Sequence, residues 1–399
     1  MPRYRQDRSR PDRASRPLVS RLQQAFEKNF SEGLEVGAAL SVFRREGEIA
    51  SMCGGFCDAA RSVPWRNETM VLIWSATKGV AAACTLHAMQ ETGADLHTLV
   101  ADFWPEFAQA GKSTLTLGHV LSHRAGLCTL DDHSANILNR DSVVRAIERQ
   151  TPLLPIEAGP AYGPRVFGFV LDEILRRLSG GEALSDYWRR VFAAPLEIDI
   201  WIGLPERLNH RVATILPPRG GKPGAGDELF AKSFTDSGSL TRRAFSSLRG
   251  ISGISAMNAP DIRAASLPSM GGISSAQALA KFYAMLASDG TCDGRAFFKK
   301  ETLEWMSTRL AQGFDPVLQR ELSFSAGFMM DPIDKDGQKK RFLLGPSPSA
   351  FGHAGAGGSL GFADREQGVG FGYVMNQMQS GILPDERCMA LVRAFYSPD

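Results

Sequence analysis

Ser75 and Lys78 are the residues of this sequence best suited to act together chemically, in the segment Trp74-Ser75-Ala76-Thr77-Lys78-Gly79. Residues three apart on a helix share a face, so the serine hydroxyl and the lysine amine can meet. A serine hydroxyl is a poor nucleophile until an adjacent base takes its proton, and a desolvated lysine can be that base. The start of a helix also offers free backbone N–H groups, which suit a developing oxyanion. The spacing therefore predicts a nucleophilic serine and its lysine base.

The alternative interpretation is a capping serine beside a solvated lysine. Because serine is common, eleven lysines give about one such spacing by chance. The neighbouring residues favour chemistry, since the apolar run 70–73 precedes the serine and small residues follow the lysine. They predict a central, buried helix, where an amine without a role would be costly.

Tyr162 and His353 are the other candidates for proton transfer. Tyr162 lies just before a predicted helix, and a phenol is a credible base only if a nearby cation such as Lys78 lowers its pKa. The alternative is an amphipathic residue at the rim of a pocket. His353 stands in the glycine-rich stretch 351–355, where local packing gives it little reason to be. It could orient Tyr162 or a substrate carboxylate, or be a satisfied structural histidine.

A series of motifs, taken in order, resembles those of the serine β-lactamase and penicillin-binding-protein superfamily. The likeness is strongest to the branch of class C β-lactamases and family VIII carboxylesterases, and it spans about residues 20–395. The matching stretches are Ser75-Ala76-Thr77-Lys78, 117–127, Tyr162, 271–274 and 351–355. The resemblance implies an α/β (α+β) fold of the β-lactamase/transpeptidase type, with a central antiparallel sheet flanked by helices plus a mainly helical domain. It also implies a serine hydrolase that works through an acyl-enzyme and needs no cofactor.

The resemblance assigns roles to individual residues. Ser75 and Lys78 match the family's Ser-x-x-Lys pair, and Tyr162 matches the tyrosine of its Tyr-x-Asn motif, which acts with the lysine in proton transfer. The family's Lys-Thr-Gly or His-x-Gly strand reads His353-Ala354-Gly355 here. By this resemblance the glycine lets the substrate approach the strand, and the N–H groups of Ala356 and of the serine form the oxyanion hole.

Two departures point from the β-lactamases towards the esterases. Pro164 stands where the motif's asparagine would bind an antibiotic amide, and His353 replaces the lysine that faces the antibiotic's carboxylate. We therefore expect a carboxylesterase that cleaves small carboxylic esters, with weak or no β-lactamase activity. Two rivals stay open. One is an acyltransferase or D-amino-acid peptidase on the same scaffold, and the other is a catalytically silent binding protein that keeps the fold.

Three other patterns carry less weight. The stretch 357–361 matches the Gly-x-Ser-x-Gly nucleophile elbow, which would make Ser359 the nucleophile, but no histidine follows it as that fold requires. His119 and His123 have a metal-binding spacing without the general-base glutamate or a third ligand, so we expect helix packing and capping, and no metal. Ser134-Ala135-Asn136 could mimic a Ser-x-Asn element, in competition with the tyrosine.

Hydrophobic periodicity and turn residues indicate the elements that must position these groups. The predicted helices are 18–31, 75–91, 116–123, 141–150, 167–179, 183–194, one that follows a capping box at 274–277, and 384–395 with Pro384 near its first position. The predicted strands are a hairpin that begins at 36–43, then 325–330, 352–363 and 368–378. The stretch 216–265 lacks periodicity, and we expect it to form a wall or lid over a pocket.

The order of strands, then helices, then strands suits one sheet built from both ends of the chain, with a helical insertion between them. We therefore divide the chain into three parts. They are a disordered basic tail at 1–17, a discontinuous α/β domain at 18–75 and 265–399, and a mainly helical insertion domain at 76–264.

Composition limits the class of protein. The 399 residues are 43% hydrophobic with a net charge of +2, which excludes disordered, collagen-like, coiled-coil and small disulfide-scaffold proteins. Six arginines lie in the first 17 residues, so the body is near neutral and a nucleic-acid surface is not expected. The tail lacks the apolar run of a secretory signal, and no stretch reaches the about 18 apolar residues of a membrane span. We expect a cytoplasmic protein that binds a small-molecule ester, associates with no membrane, and has reduced cysteines; the oligomeric state stays open.

Overall fold

The structure, a computed structural model, describes residues 16–220 and 226–398. The predicted basic tail at 1–17 lies outside the described residues, apart from the two positions that begin the first helix. The helices are Arg16–Ser31 (α1), Thr77–Thr92 (α2), Leu117–Leu121 (α3), Arg140–Arg149 (α4), Phe167–Ser179 (α5), Leu184–Trp188 (α6), Glu228–Thr235 (α7), Leu240–Ser246 (α8), Pro260–Ala264 (α9), Ala276–Ala287 (α10), Lys300–Ser307 (α11) and Glu386–Tyr396 (α12).

Most of the strands belong to one large sheet. The strands are Gly37–Arg44 (β1), Gly47–Gly55 (β2), Val71–Leu72 (β3), Ile200–Ile202 (β4), Gly272–Ser274 (β5), Thr291–Cys292 (β6), Arg295–Ala296 (β7), Ala311–Asp315 (β8), Arg320–Phe324 (β9), Met329–Met330 (β10), Phe351–Ala354 (β11), Leu360–Asp364 (β12) and Val369–Met375 (β13). The large sheet has eight strands in the order β2-β1-β13-β12-β11-β10-β9-β8, and all neighbours are antiparallel. Because β1 pairs with β13, both ends of the chain build this sheet, which confirms the predicted sheet.

Helices cover both faces of the large sheet. Alternate residues of a strand point to opposite faces, and β13 shows this clearly. On one face a Cβ added to Gly370 would lie 2.2 Å from the backbone N of Ala284, so α10 packs directly on the strand backbone. On the other face Phe371 packs in a cluster with Phe26 of α1 and Leu391 of α12. The core therefore has two layers, separated by the sheet.

A second sheet, with strand order β3-β5-β4, holds the chain just before the candidate serine. Its central strand, β5, pairs antiparallel with both neighbours. Beyond β3, the Ile73 N–H donates to the Gly272 carbonyl at 2.8 Å. The Gly272 N–H in turn donates to Thr77 Oγ1 at 2.8 Å. The stretch that carries Ser75 is thus held on both sides by β5. Sequence patterns missed this sheet because strands of two or three residues show no periodicity.

Two predicted helix starts differ from the structure by one or two residues. α10 is capped by Ser275, whose side chain accepts from the Ala278 N–H at 3.1 Å. The Ser274 hydroxyl instead donates to the Ser275 carbonyl, so the predicted capping box is not formed. In α12 the capping residue is Asp385, so Pro384 lies before the helix and not inside it. In both cases the side chain nearest the first free N–H groups acts as the cap.

Two predicted stretches contain more structure than expected. The strand predicted at 352–363 is two strands, β11 and β12, because Gly357 and Gly358 have φ of 85° and 129° and turn the chain back. The stretch 216–265 holds the short helices α7, α8 and α9. The division into domains stays a prediction. In the described part of the chain, no helix combines the length and the apolar character that crossing a bilayer requires.

Candidate active site

Ser75 lies in a single 3₁₀ turn, Trp74–Ala76, between β3 and α2. Thr77 stabilises this turn. Its hydroxyl donates to the Trp74 carbonyl at 2.5 Å and accepts a hydrogen bond from the Gly272 N–H of β5. Trp74 has φ of 48°, a left-handed conformation that is costly for a bulky side chain and persists only when surrounding contacts impose it. The backbone on both sides of the serine is therefore strongly constrained.

Lys78 is fully buried at the start of α2, with three acceptors around its Nζ. The Nζ lies 3.1 Å from Ser75 Oγ, 2.9 Å from the Pro164 carbonyl oxygen and 2.9 Å from the Ser269 carbonyl oxygen. Burial lowers the pKa of Lys78 well below its usual 10.5. In the neutral amine, the two N–H bonds serve the two carbonyls, which leaves the lone pair facing the serine. This arrangement lets Lys78 take the Ser75 proton as a general base.

The phenol of Tyr162 lies beside this pair. Its ring centroid is 4.9 Å from Lys78 Nζ, and the residue is almost completely buried. Burial raises the pKa of Tyr162, and a hydrogen bond with the Ser75 hydroxyl opposes that rise only in part. A phenol acts as a base only where its pKa is lowered. The pKa of Tyr162 is raised instead, so this phenol keeps its proton. Lys78 is the better base, and a protonated Tyr162 can relay a proton.

His353 is buried and neutral. Its Nδ1–H donates to the Ala354 carbonyl at 2.8 Å, and Nε2 has no hydrogen-bond partner among the described residues. Burial first, and Lys78 second, lower the pKa of His353 to about 3, so it carries no charge at neutral pH. Its ring centroid lies 6.0 Å from that of Tyr162. An uncharged imidazole offers no positive charge to a substrate carboxylate. Contact with the Tyr162 ring is therefore the role that fits His353.

Gly355 and Ala356 follow the end of β11. A Cβ added to Gly355 would lie 2.2 Å from the Ile73 carbonyl oxygen, so this glycine lets β11 approach the chain that carries Ser75. The family resemblance predicts that this glycine lets the substrate approach the strand. In the structure, the atom nearest to an added Cβ belongs to the protein's own backbone. Ala356 and Ser75 line the same cavity, as a shared oxyanion hole requires.

His123 positions Tyr162, although the sequence indicated only packing and helix capping for it. Its ring stacks on Phe167 with centroids 4.0 Å apart and lies 5.1 Å from the Tyr162 ring. Its Nδ1 accepts from the Gly163 N–H at 3.3 Å. Burial, with Lys78 and His353, lowers the pKa of His123 well below 6.5. The signal that was available is its place in the matched stretch 117–127.

Asp315 also positions Tyr162, and sequence patterns missed it. Its carboxylate is completely buried and accepts from the backbone N–H groups of Tyr162, at 2.6 Å, and of Val317 and Leu318. Burial raises the pKa of Asp315 to about 7, against the effect of these hydrogen bonds. No local pattern reveals this contact, because the two residues lie 153 positions apart.

The weaker sequence patterns mark residues in structural positions. Ser359 is completely buried in a turn between two strands, where an elbow would need a strand followed by a helix. His119 caps α3, since its Nδ1 accepts from the Thr116 N–H at 3.2 Å. The Ser134 hydroxyl donates to the side chain of Asp132 at 2.5 Å. Within residues 16–220 and 226–398, no group of three or more His, Cys, Asp and Glu side chains is placed to hold a metal ion.

Ser75 opens onto a mainly apolar cavity of about 1220 Å³. Tyr162 and Ala356 line it beside the serine. Its lining also includes residues of α7 and α8, where the rings of Phe230, Phe234 and Phe245 pack with centroids 5.7 Å apart. The prediction that the stretch 216–265 forms the wall of a pocket is therefore confirmed.

Known proteins are similar to this chain over nearly its whole length. The model of the Beta-lactamase family matches residues 26–388. A penicillin-binding-protein homologue from Caulobacter crescentus is 33% identical, with a TM-score of 0.82, and covers 95% of this chain and 97% of its own. A family VIII carboxylesterase is 32% identical, with a TM-score of 0.81 and the same two coverages. Esterase/beta-lactamase LipL of Mycobacterium tuberculosis is 29% identical over 378 residues, 93% of this chain and 84% of that protein.

The matches agree with the large antiparallel sheet and the helices on its two faces. They also show that the fold is the β-lactamase/transpeptidase fold that the motifs implied. The protein is therefore a serine hydrolase that belongs to the Beta-lactamase family.

Proposed function

We propose that the protein is a serine carboxylesterase that cleaves small carboxylic esters through an acyl-enzyme on Ser75. The observation that carries this proposal is the contact between Lys78 Nζ and Ser75 Oγ at 3.1 Å, with the amine's other positions taken by two carbonyls. The likeness to a family VIII carboxylesterase and to a protein named esterase/beta-lactamase supports the same chemistry. The cytoplasm is the compartment we propose.

In the proposed reaction, Ser75 Oγ bonds to the ester carbonyl carbon while its proton passes to Lys78. The N–H groups of Ser75 and Ala356 stabilise the resulting oxyanion. The bond between the carbonyl carbon and the alcohol oxygen then breaks, and the departing alkoxide takes the proton, directly or through Tyr162. Water attacks the acyl carbon and gives a proton to the same base, which returns it to the serine as the acid leaves. Water is the only second reactant that these steps consume.

The site supports esters over β-lactam antibiotics as substrates. Pro164 offers a backbone carbonyl, which Lys78 already uses, where an asparagine side chain would bind an antibiotic amide. His353 is neutral and buried, so it supplies no positive charge for a carboxylate. Weak or absent β-lactamase activity is the result we propose.

A panel of chromogenic esters of graded acyl length, with a chromogenic cephalosporin alongside, tests the proposal on the wild-type protein and on Ser75→Ala. We expect turnover of short esters, little turnover of the cephalosporin, and loss of both with Ser75→Ala. Intact-peptide mass spectrometry should find the acyl group on the peptide that contains Ser75. Ser359→Ala is the control, because it also removes one serine hydroxyl, in the turn between β11 and β12 and outside the cavity lining, and should keep the adduct.

The same assays separate the rival functions. If the protein were an acyltransferase, the acyl-enzyme would pass its acyl group to an added alcohol instead of to water, and the product would be a new ester. Faster turnover of D-amino-acid amides than of esters would indicate the peptidase. A protein that gave no turnover and no adduct on Ser75 with any ester would be a silent binding protein, and the proposal would be wrong.

A further inference from the structure

Arg165 is a cation in the wall of the catalytic cavity that has no carboxylate partner among the described residues. Its Nη1 donates to the Leu248 carbonyl at 2.6 Å, which holds the guanidinium against the wall. Two arginines outside the cavity lining have acidic partners, since Arg320 pairs with Asp227 and Arg243 pairs with Asp131. Of the three arginines that line the cavity, Arg165 is the one that is not exposed, and within the described residues no carboxylate pairs with it.

The backbone of Arg165 is fixed close to the catalytic pair. Its carbonyl accepts from the Ser269 hydroxyl at 2.6 Å, and that hydroxyl also accepts from the Gly168 N–H at 2.7 Å. The preceding carbonyl, of Pro164, accepts from Lys78. These hydrogen bonds fix the backbone of Arg165, and the Leu248 carbonyl holds its guanidinium at the cavity lining.

The charges that face the cavity favour an anion. Among the described residues that line it, Asp227 is the one acid, and Arg320 neutralises it. Arg242 and Arg249 lie at the exposed edge, where solvent screens their charge, and the Arg242 guanidinium lies 5.3 Å from the centre of the Phe234 ring. Burial lowers the pKa of Arg165, which reflects the cost of a cation in apolar surroundings. A bound anion would offset that cost.

We propose that Arg165 binds a carboxylate on the substrate, so that the preferred substrates are apolar esters that carry a free carboxylate away from the scissile bond. This inference rests on the proposed esterase function and narrows its substrate class. The guanidinium is suited to the role because it presents paired N–H donors that match the two oxygens of a carboxylate. His353 cannot take this role, since it is neutral and lies outside the cavity lining.

Two matched pairs of esters test the proposal and locate the carboxylate. Monoethyl adipate and ethyl hexanoate have acyl chains of equal length, and the first carries a carboxylate on the acyl side. 4-Acetoxybenzoate and phenyl acetate differ by a carboxylate on the alcohol side. The value of kcat/KM is measured for all four with the wild-type protein, Arg165→Gln, Arg165→Lys and Arg249→Gln. Arg249→Gln is the matched control, because it removes one positive charge from the exposed edge of the same cavity.

The readout is the ratio of kcat/KM for the anionic ester to that for its neutral partner. We expect Arg165→Gln to lower this ratio about tenfold or more for one of the two pairs, mainly through KM, with a smaller loss in Arg165→Lys. Arg249→Gln should change it less than about twofold, since exposed charges are screened. Unchanged ratios in Arg165→Gln, or an equal loss in Arg249→Gln, would overturn the proposal.

Calorimetric binding of monoethyl adipate and 4-acetoxybenzoate to Ser75→Ala, with and without Arg165→Gln, asks the same question without turnover. Weaker binding in the double variant supports the carboxylate site, and equal binding contradicts it. If the wild-type protein turns over none of the four esters, the esterase proposal fails, while this binding comparison still decides the role of Arg165. If Arg165→Gln does not fold, the ratios in Arg165→Lys decide, and a ratio equal to wild type in both pairs counts against the site.

Discussion

The two sides of the cavity are built in opposite ways. The floor, by which we mean the turn 74–76 and the start of α2, has buried polar groups whose partners are fixed backbone carbonyls. The wall, by which we mean α7 and α8, presents half-buried aromatic rings that contact one another without directional bonds. The reaction therefore depends on geometry at the floor, where small displacements are costly. Binding at the wall depends on apolar area, which many side chains can supply. Substitutions on the two sides should therefore differ sharply in effect.

Loss of the amine from the floor should have the largest effect. Lys78→Met keeps the length of the buried side chain but removes the base, and we expect kcat/KM for a short ester to fall about a thousandfold or more. The unfolding temperature should change little. The variant loses the amine's hydrogen bonds but no longer has the free-energy cost of burying an amine away from water. Steady-state kinetics and calorimetry check this. A variant with near-normal kcat/KM would contradict the role of Lys78.

A displaced floor should have the next largest effect. Gly355→Ala places a Cβ where the Ile73 carbonyl oxygen lies 2.2 Å away, so β11 and the turn that carries Ser75 must separate. A misplacement of this kind costs about a hundredfold in kcat, with a smaller change in KM. The control is Gly220→Ala, since a Cβ there would have no heavy atom within 4 Å. Equal kinetics for the two variants would show that the close approach of β11 does not matter.

The protonation state of the floor sets the pH dependence. The neutral form of Lys78 is the active base, and burial lowers its pKa below 10.5. The value of kcat/KM should therefore rise by about tenfold per pH unit until the lowered pKa is passed, and then level off. His353, with a pKa lowered to about 3, does not titrate in this range. A pH profile measured with a stable short ester checks the sign, and a rate that falls as the pH rises through neutrality would oppose it.

The wall should respond least. Phe245→Ala removes apolar area from one side of the cavity, so kcat/KM for an ester with a long or aromatic apolar group should fall about fivefold, while an acetate ester changes less. Leu229→Ala on α7 is the control, because Leu229 is 57% exposed and does not line the cavity. If kcat/KM fell by the same factor for the acetate and for the bulky ester, the wall would act on the floor's geometry and not through apolar contact with the substrate.

Much of the large sheet and several of the helices around it were predictable because their signals are local, whereas β8, β9 and α11 were not predicted. α1, the hairpin of β1 and β2, and α5 follow from residue periodicity and turn residues over a few turns of chain. The small sheet was not predictable, because β3, β4 and β5 have two or three residues each. The same limit hid Asp315, whose contact with Tyr162 joins distant parts of the chain.

Residue types and the order of the motifs were enough to identify the residues that could react. Ser75, Lys78, Tyr162 and His353 were all candidates from their types and from the order of the motifs, and the structure brings these four side chains together. The chemical role of each residue depends on its surroundings in the folded protein. The direction of the Lys78 lone pair depends on two carbonyls from other segments, and the neutral state of His353 depends on its burial. Burial and long-range contacts belong to the folded chain, so no local pattern contains them.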